Sequence, residues 1–304
     1  MVANRIAIEP LSAPSLEAAI RVAGAQPCRL DSSVSGLVWN DYSRPQLLSD
    51  TLAANPQLEW VQLPYAGVDA FADIIARPIR FTSAKGAYAE PVAEHALALC
   101  LALGRAIPQR VRAREWGEKF AASLYDSTVL VIGAGGIAQE FLRLVQPFRA
   151  KTIVVRNGSQ PLQLASETHE LASLSELLPL ADFVVVAAAL TPQTVGLINA
   201  ANLKLMKPSA YLVNIARGAH VVLPDLLVAL RDSQIAGAAL DVTDPEPLPA
   251  GHPAWDEPKL IITPHTADTP EQVEVLLAAR VEANAKAFLG KGPWIGEVSK
   301  TLGY

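Results

Sequence analysis

Residues 129–138, VLVIGAGGIA, constrain the fold of this chain more than any other stretch. Four apolar, mostly β-branched residues read as a strand buried on both faces. Gly133 and Gly135 follow one residue apart, and Ala138 stands three beyond the second glycine. The spacing fits the fingerprint G-x-G-x-x-G/A, in which a strand turns sharply into a helix. Gly133 allows the tight turn, Gly135 lets the backbone approach a pyrophosphate, and Ala138 lets the helix pack close to the strand. The N–H groups of Ala134, Gly135, Gly136 and Ile137 then face an anion at the helix start. Alone the pattern is weak, because any strand–turn–helix can carry glycines.

The surrounding chain alternates strand and helix. Before the glycines, strands are expected at 6–8, 36–39, 58–63 and 80–83, and helices at 16–23 and 45–54. After them, strands are expected at 152–155, 183–188, 211–215, 236–242 and 260–262, with helices at 171–178, 224–232 and 270–289. Alternation of this kind predicts parallel sheets with crossover helices, an α/β fold of doubly wound sheets. Residues 91–106 are apolar nearly all round, so they predict a buried helix. It could be a core helix, a bridge between domains or a subunit contact.

Bulk properties narrow the class. At 304 residues, 51% hydrophobic and 18% charged, the chain can bury a sizeable core as one large or two ordinary domains. A net charge of −5 offers no basic face to nucleic acid or to an acidic membrane. The N-terminus reads into a strand rather than a signal peptide, and no apolar run reaches the length of a membrane span. Cys28 and Cys100 have neither metal nor redox spacing and read as reduced thiols of a cytoplasmic protein.

Polar residues fall repeatedly just past strand ends, where ligands bind in open α/β sheets. The strand after the glycines ends Val155-Arg156-Asn157-Gly158-Ser159. An acid is usual near there, bonded to a ribose 2′-OH. Arginine instead suits a 2′-phosphate, with a charge-assisted bond that contributes about 1.5–3 kcal/mol. The expectation is NADP, with NAD as the lesser possibility. Arg217, Glu246 and His265 each follow a separate strand. Singly each has a plain reading: a solvated arginine, a loop carboxylate, a structural histidine. Together they suit reduction of a 2-oxo acid. Histidine titrates near neutrality and can deliver a proton, a carboxylate beside it favours imidazolium, and arginine offers a planar fork to the substrate carboxylate.

With these residues the sequence resembles the D-2-hydroxyacid dehydrogenase family, on its glyoxylate/hydroxypyruvate reductase-like branch. The matching stretches are GAGGIA at 133–138, LTP at 190–192, MKP at 206–208, NIARG at 214–218, LDV at 240–242 with EPLP at 246–249, and ITPH at 262–265. They occur in the family's order from about residue 65 to the helix after His265. The weaker branch signal is GHPAW at 251–255.

The resemblance implies a Rossmann cofactor domain, residues 98–269, inserted into a flavodoxin-like substrate domain made of 1–97 and 270–304. It implies that Arg217 holds the substrate carboxylate and carbonyl oxygen. His265 would be the acid in reduction and the base in oxidation, paired with Glu246. The N–H groups of Ala66, Gly67 and Val68 would cradle the carboxylate. Asp241 would bond the nicotinamide carboxamide. Leu190 and Thr194 would line the cofactor cleft, with Ile215, Ala216, Arg217 and His265 also near the cofactor. Arg156, Asn157 and Ser159 would meet its adenosine end.

The absent acid beside Arg156 departs from the family's commoner preference for NAD. The expected partners are a small 2-oxo or 2-hydroxy acid and a second copy of the chain. Tyr65, Trp116 and Trp255 are candidates to approach the substrate's side chain. Two other classes stay open: a dinucleotide-sensing binding protein, as in the related C-terminal-binding-protein corepressors, or a different NAD(P)-dependent oxidoreductase. Loss of NADPH absorbance on adding a 2-oxo acid separates the first of these from an enzyme.

Overall fold

The computed structural model describes residues 4–158 and 160–300. The chain divides into two compact units, Met1–Tyr88 with Thr269–Tyr304, and Ala89–Asp268.

The first unit is built on a five-stranded sheet of β1 (Arg5–Glu9), β2 (Gln26–Cys28), β3 (Gly36–Trp39), β4 (Trp60–Gln62) and β5 (Arg80–Thr82). Their order is β2-β1-β3-β4-β5 and every pairing is parallel. This is the flavodoxin-like order. Helix Pro14–Ala23 buries Leu16, Ala19, Ile20 and Ala23, the spacing of a single helical face. It packs against the return helix Pro270–Phe288. Prolines stand at the first turn of both helices, where a missing N–H costs nothing. Trp39, Leu37, Leu48, Val61, Leu63 and Phe71 form much of the core.

The second unit holds seven parallel strands: β6 (Thr128–Ile132), β7 (Lys151–Arg156), β8 (Glu167–Glu170), β9 (Phe183–Val186), β10 (Tyr211–Asn214), β11 (Gly237–Leu240) and β12 (Leu260–Ile262). Their order is β12-β11-β10-β9-β6-β7-β8. Read from β8, this is the doubly wound dinucleotide-binding order 3-2-1-4-5-6 with a seventh strand added. The winding reverses between β6 and β9. Central strands β9 and β11 are buried at every position, which explains their unbroken apolar runs. Each fully buried Val or Leu there contributes about 1.5–3 kcal/mol.

The apolar stretch after Glu90 forms helix Ala89–Gly104. It lies wholly in the second unit and packs on helix Gly136–Val145 and on β10 and β11. Of the three roles open to it, the structure shows that of a core helix. The unit boundary therefore falls at its first residue, Ala89, while position 97 lies inside it. Two edge strands, β2 and β8, stand where no strand was expected. No described helix is long and apolar enough to cross a membrane.

Candidate active site

The two glycines of the fingerprint are held by different constraints. Gly133 has φ +114°, and a Cβ there would lie 2.4 Å from the Ala187 carbonyl oxygen just past β9. Its N–H donates to the Val155 carbonyl of β7 at 2.7 Å. The turn is thus wedged between the two neighbouring strand ends, and only glycine fits. Gly135 has φ −73° and ψ −174°, extended backbone open to any residue. Nothing lies within 4 Å of where its Cβ would be. No side chain caps helix Gly136–Val145, and its first intrahelical bond is donated by Gln139. Among the described residues, the amides of Gly135, Gly136 and Ile137 have no acceptor. Space without a Cβ and outward amides at a positive helix end fit a pyrophosphate. Ala138 is buried beneath the turn.

Arg156 ends β7 and is partly exposed. Among the described residues its guanidinium makes no hydrogen bond or ion pair. Exposed Asn157 and Gly158 follow, and Ser159 lies outside the described residues. Past β9, the Thr194 hydroxyl donates to the Ala189 carbonyl at 2.9 Å and accepts the Thr191 N–H at 2.8 Å. Thr194 is buried and shapes this turn, while Leu190 remains partly exposed.

Beyond β10, the buried Asn214 side chain folds over the next three residues. Its Oδ1 accepts the Ala216 N–H at 3.1 Å and its Nδ2 donates to the Arg217 carbonyl at 2.8 Å. Ile215 and Ala216 are buried under this turn. The Arg217 guanidinium donates to the Ala216 carbonyl at 2.8 Å. At Gly218 a Cβ would fall 2.0 Å from the Thr243 carbonyl, so the Arg217 turn is pressed against the loop after β11. His220 is fully buried with Nδ1 3.0 Å from the Arg217 carbonyl and Nε2 3.3 Å from that of Ala189. It ties the Arg217 turn to the loop after β9.

Glu246 follows β11 and His265 follows β12, and His265 Nδ1 lies 2.7 Å from Glu246 Oε1. Both side chains are about half exposed, at 49% and 42%. Such an exposed pair contributes little to stability. Among the described residues His265 Nε2 has no hydrogen-bond partner. His265 stands at φ +51°, the left-handed region that favours glycine. Its N–H donates to the carbonyls of Asp241 at 2.8 Å and Thr263 at 3.0 Å. The Asp241 carboxylate is 1% exposed. Oδ1 accepts the Thr263 hydroxyl at 2.5 Å and the Thr266 N–H at 3.0 Å, and Oδ2 accepts the Ala267 N–H at 3.3 Å. His95 Nε2 lies 3.3 Å from Oδ1. Burial alone would raise this carboxyl's pKa, but the bonds from His95, Thr263 and Thr266 outweigh it and hold the group below its ordinary range.

The topology therefore sets these residues in line along one sheet edge. His265 follows β12, Asp241 and Glu246 follow β11, and Arg217 follows β10. Leu190 and Thr194 follow β9, the glycines follow β6, and Arg156 closes β7. Five strand spacings separate the ends of this row, about 24 Å. A ligand as long as a dinucleotide can run along it. Asn214, His220 and His95 shape the row and were not singled out in the sequence. Asn214 opens the NIARG stretch without a role assigned to it, and His95 shows only as a polar residue on an otherwise apolar helix face.

In the first unit, β4 leads into the turn that carries Ala66, Gly67 and Val68. Among the described residues these three amides donate no hydrogen bond. Tyr65 is 39% exposed and packs edge-on to Tyr42, with ring centroids 5.7 Å apart. Tyr42 donates to Asp69 at 2.9 Å and Tyr88 to the Pro64 carbonyl at 2.8 Å, so the turn is braced from both sides. Trp116 and Trp255 are 91% and 46% exposed.

Residues 96–267 match the family model for the D-isomer specific 2-hydroxyacid dehydrogenase NAD-binding domain. The glyoxylate reductase/hydroxypyruvate reductase of Homo sapiens is 31% identical over 302 residues, covering 95% of this chain and 88% of its own length. The glyoxylate reductase of Pyrococcus furiosus is 34% identical over 239 residues, 74% of this chain and 69% of its own. An NADPH-dependent glyoxylate/hydroxypyruvate reductase of Sinorhizobium meliloti, solved with NADP and sulfate, is 25% identical. It superposes with a TM-score of 0.83 over 99% of both chains. The dinucleotide-binding sheet order, the glycine turn it carries and these matches together make this chain a member of the D-isomer specific 2-hydroxyacid dehydrogenase family, an NAD(P)-dependent oxidoreductase.

Proposed function

We propose that this dehydrogenase reduces a small 2-oxo acid, of the glyoxylate or hydroxypyruvate kind, to the D-2-hydroxy acid with NADPH. The observation that carries the reading is the His265–Glu246 contact, 2.7 Å at Nδ1 with Nε2 left for a ligand. Glu246 fixes the ring through Nδ1, and Nε2 delivers a proton to the oxygen that forms at C2. In the reverse direction the same nitrogen takes the proton back. Arg217 binds the carboxylate and the carbonyl oxygen, and in the first unit the amides of Ala66, Gly67 and Val68, unoccupied in their own turn, suit a carboxylate. The glycine turn holds the pyrophosphate, Arg156 with Asn157 meets a 2′-phosphate, and Asp241, Ile215, Ala216, Leu190 and Thr194 surround the nicotinamide half. The bound cofactor supplies the hydride to C2.

NADP preference rests on Arg156, an uncommitted cation where an acid would suit NAD. Two free cysteines favour the cytosol. A homodimer is proposed through residues 107–125, where Ile107, Val111, Trp116, Phe120 and Tyr125 are all exposed.

The deciding experiment measures initial rates on a panel of 2-oxo acids with NADPH and NADH in parallel, for the native enzyme and His265→Gln. Turnover of glyoxylate or hydroxypyruvate with NADPH is expected, falling at least about 100-fold in the variant. A variant of near-normal rate would remove His265 from the chemistry. Equal affinity for the two cofactors would remove the NADP preference.

A further inference from the structure

His265 is gripped by one residue. The Asp241 carbonyl accepts the His265 N–H, and the Asp241 carboxylate accepts from Thr263, Thr266 and Ala267. Four bonds from a single side chain and its own carbonyl thus bracket residues 263–267. The bracket holds His265 in left-handed backbone at φ +51°, a conformation that costs a non-glycine residue about 1–3 kcal/mol and persists only where its surroundings enforce it.

The carboxylate that forms the bracket is itself held from outside. Among the described residues, His95 is the one side chain beyond these two strand-end loops that reaches it. Its Nε2 lies 3.3 Å from Asp241 Oδ1 and 3.1 Å from Thr263 Oγ1. His95 sits on helix Ala89–Gly104, whose Val92, Ala96 and Leu99 are packed into the core, so the ring is fixed by a rigid element. The Thr263 hydroxyl donates to Asp241, so it accepts from His95. Nε2 therefore carries a hydrogen towards both oxygens, whether the ring is neutral or charged. No lysine or arginine pairs with this buried carboxylate among the described residues.

We propose that His95 is a positioning residue of the active site: by orienting the Asp241 carboxylate from the core helix, it sets the 263–267 segment and so the direction of the His265 ring. His95 itself touches neither substrate nor cofactor in this proposal, and its bearing on turnover rests on His265 being the acid–base group.

Two variants separate positioning from bulk stability. His95→Leu removes the donor, whereas His95→Gln keeps an amide N–H at about the reach of Nε2. Steady-state kinetics, thermal unfolding and amide exchange of Thr266 and Ala267 by NMR are measured on both in the full chain. His95→Leu is expected to lose kcat about tenfold or more, with the KM for 2-oxo acid within about threefold and exchange at both amides faster. His95→Gln is expected to recover kcat to within about threefold of the native enzyme and to restore slow exchange. If the leucine variant does not fold, His95→Asn, whose amide stops short of Asp241, takes its place. Native kcat in the donor-lacking variant, or an equal loss in His95→Gln, overturns the proposal. If the native enzyme reduces no 2-oxo acid, the functional reading fails on its own. Exchange then decides: amides of Thr266 and Ala267 that stay slow without the donor overturn the positioning role, and fast exchange rescued by glutamine supports it.

Discussion

Gly133 and Gly135 stand in one turn, yet their backbones ask for glycine for different reasons. At Gly133 the demand is internal, from a left-handed backbone and the Ala187 carbonyl 2.4 Å from any added Cβ. Gly133→Ala is therefore expected to destabilise the protein by at least about 2 kcal/mol, read as a shift in the urea midpoint. At Gly135 the protein leaves open space. Gly135→Val is expected to change stability by less than about 1 kcal/mol while weakening NADPH binding at least about tenfold in a fluorescence titration. Equal losses of stability in the two variants would mean that Gly135 serves packing. Gly218 belongs with Gly133, since its Cβ would meet the Thr243 backbone and displace the Arg217 turn.

At the scale of elements, the first unit's sheet is tied to the return helix by a buried polar cluster. Asn284 of helix Pro270–Phe288 donates to Gln62 Oε1 at 2.7 Å and to the Ile295 carbonyl at 2.9 Å, and accepts the Ile295 N–H at 2.9 Å. Gln62 Oε1 also accepts the Thr82 hydroxyl, which in turn accepts Trp60 Nε1–H. Every member is satisfied, and Asn284, Gln62 and Thr82 are fully buried. Asn284→Leu strands the amide and carbonyl of Ile295. A loss of about 2–4 kcal/mol in unfolding free energy is expected, against a much smaller change for Glu274→Gln on the exposed part of the same helix.

Elements buried on both faces were legible in the sequence because burial forces long apolar runs, as in FVVV of β9. β2 and β8 were not, because an edge strand needs no apolar face and theirs read QPC and ETHE. The site divides in the same way. Strand ends could be read from the runs that precede them, which placed Arg217, Glu246 and His265 on successive loops. Contacts across large sequence separations could not, so the approach of His95 to Thr263, 168 residues away, emerges only in three dimensions.

For the whole molecule, the proposed dimer rests on the exposed apolar side chains of residues 107–125. Trp116, 91% exposed, would stand near the centre of the proposed subunit contact. Trp116→Glu is expected to halve the mass measured by light scattering while leaving the circular dichroism of the chain unchanged. A native chain that is already monomeric at micromolar concentration would overturn the dimer.

The split of the first unit into two chain segments also sets a timetable for its synthesis. Helix Pro14–Ala23 and strand β5 find their packing partners in residues after Thr269, on the far side of 180 residues that form the other unit. A ribosome delivers the cofactor-binding sheet complete before the unit begun first can close. During that interval the early strands wait without the return helix, with apolar surface uncovered. A chain interrupted anywhere between Asp268 and Phe288 would keep its dinucleotide fold and lose the other unit. The last few dozen residues, which belong to no strand of the dinucleotide-binding sheet, thus decide whether the unit begun first is ever completed.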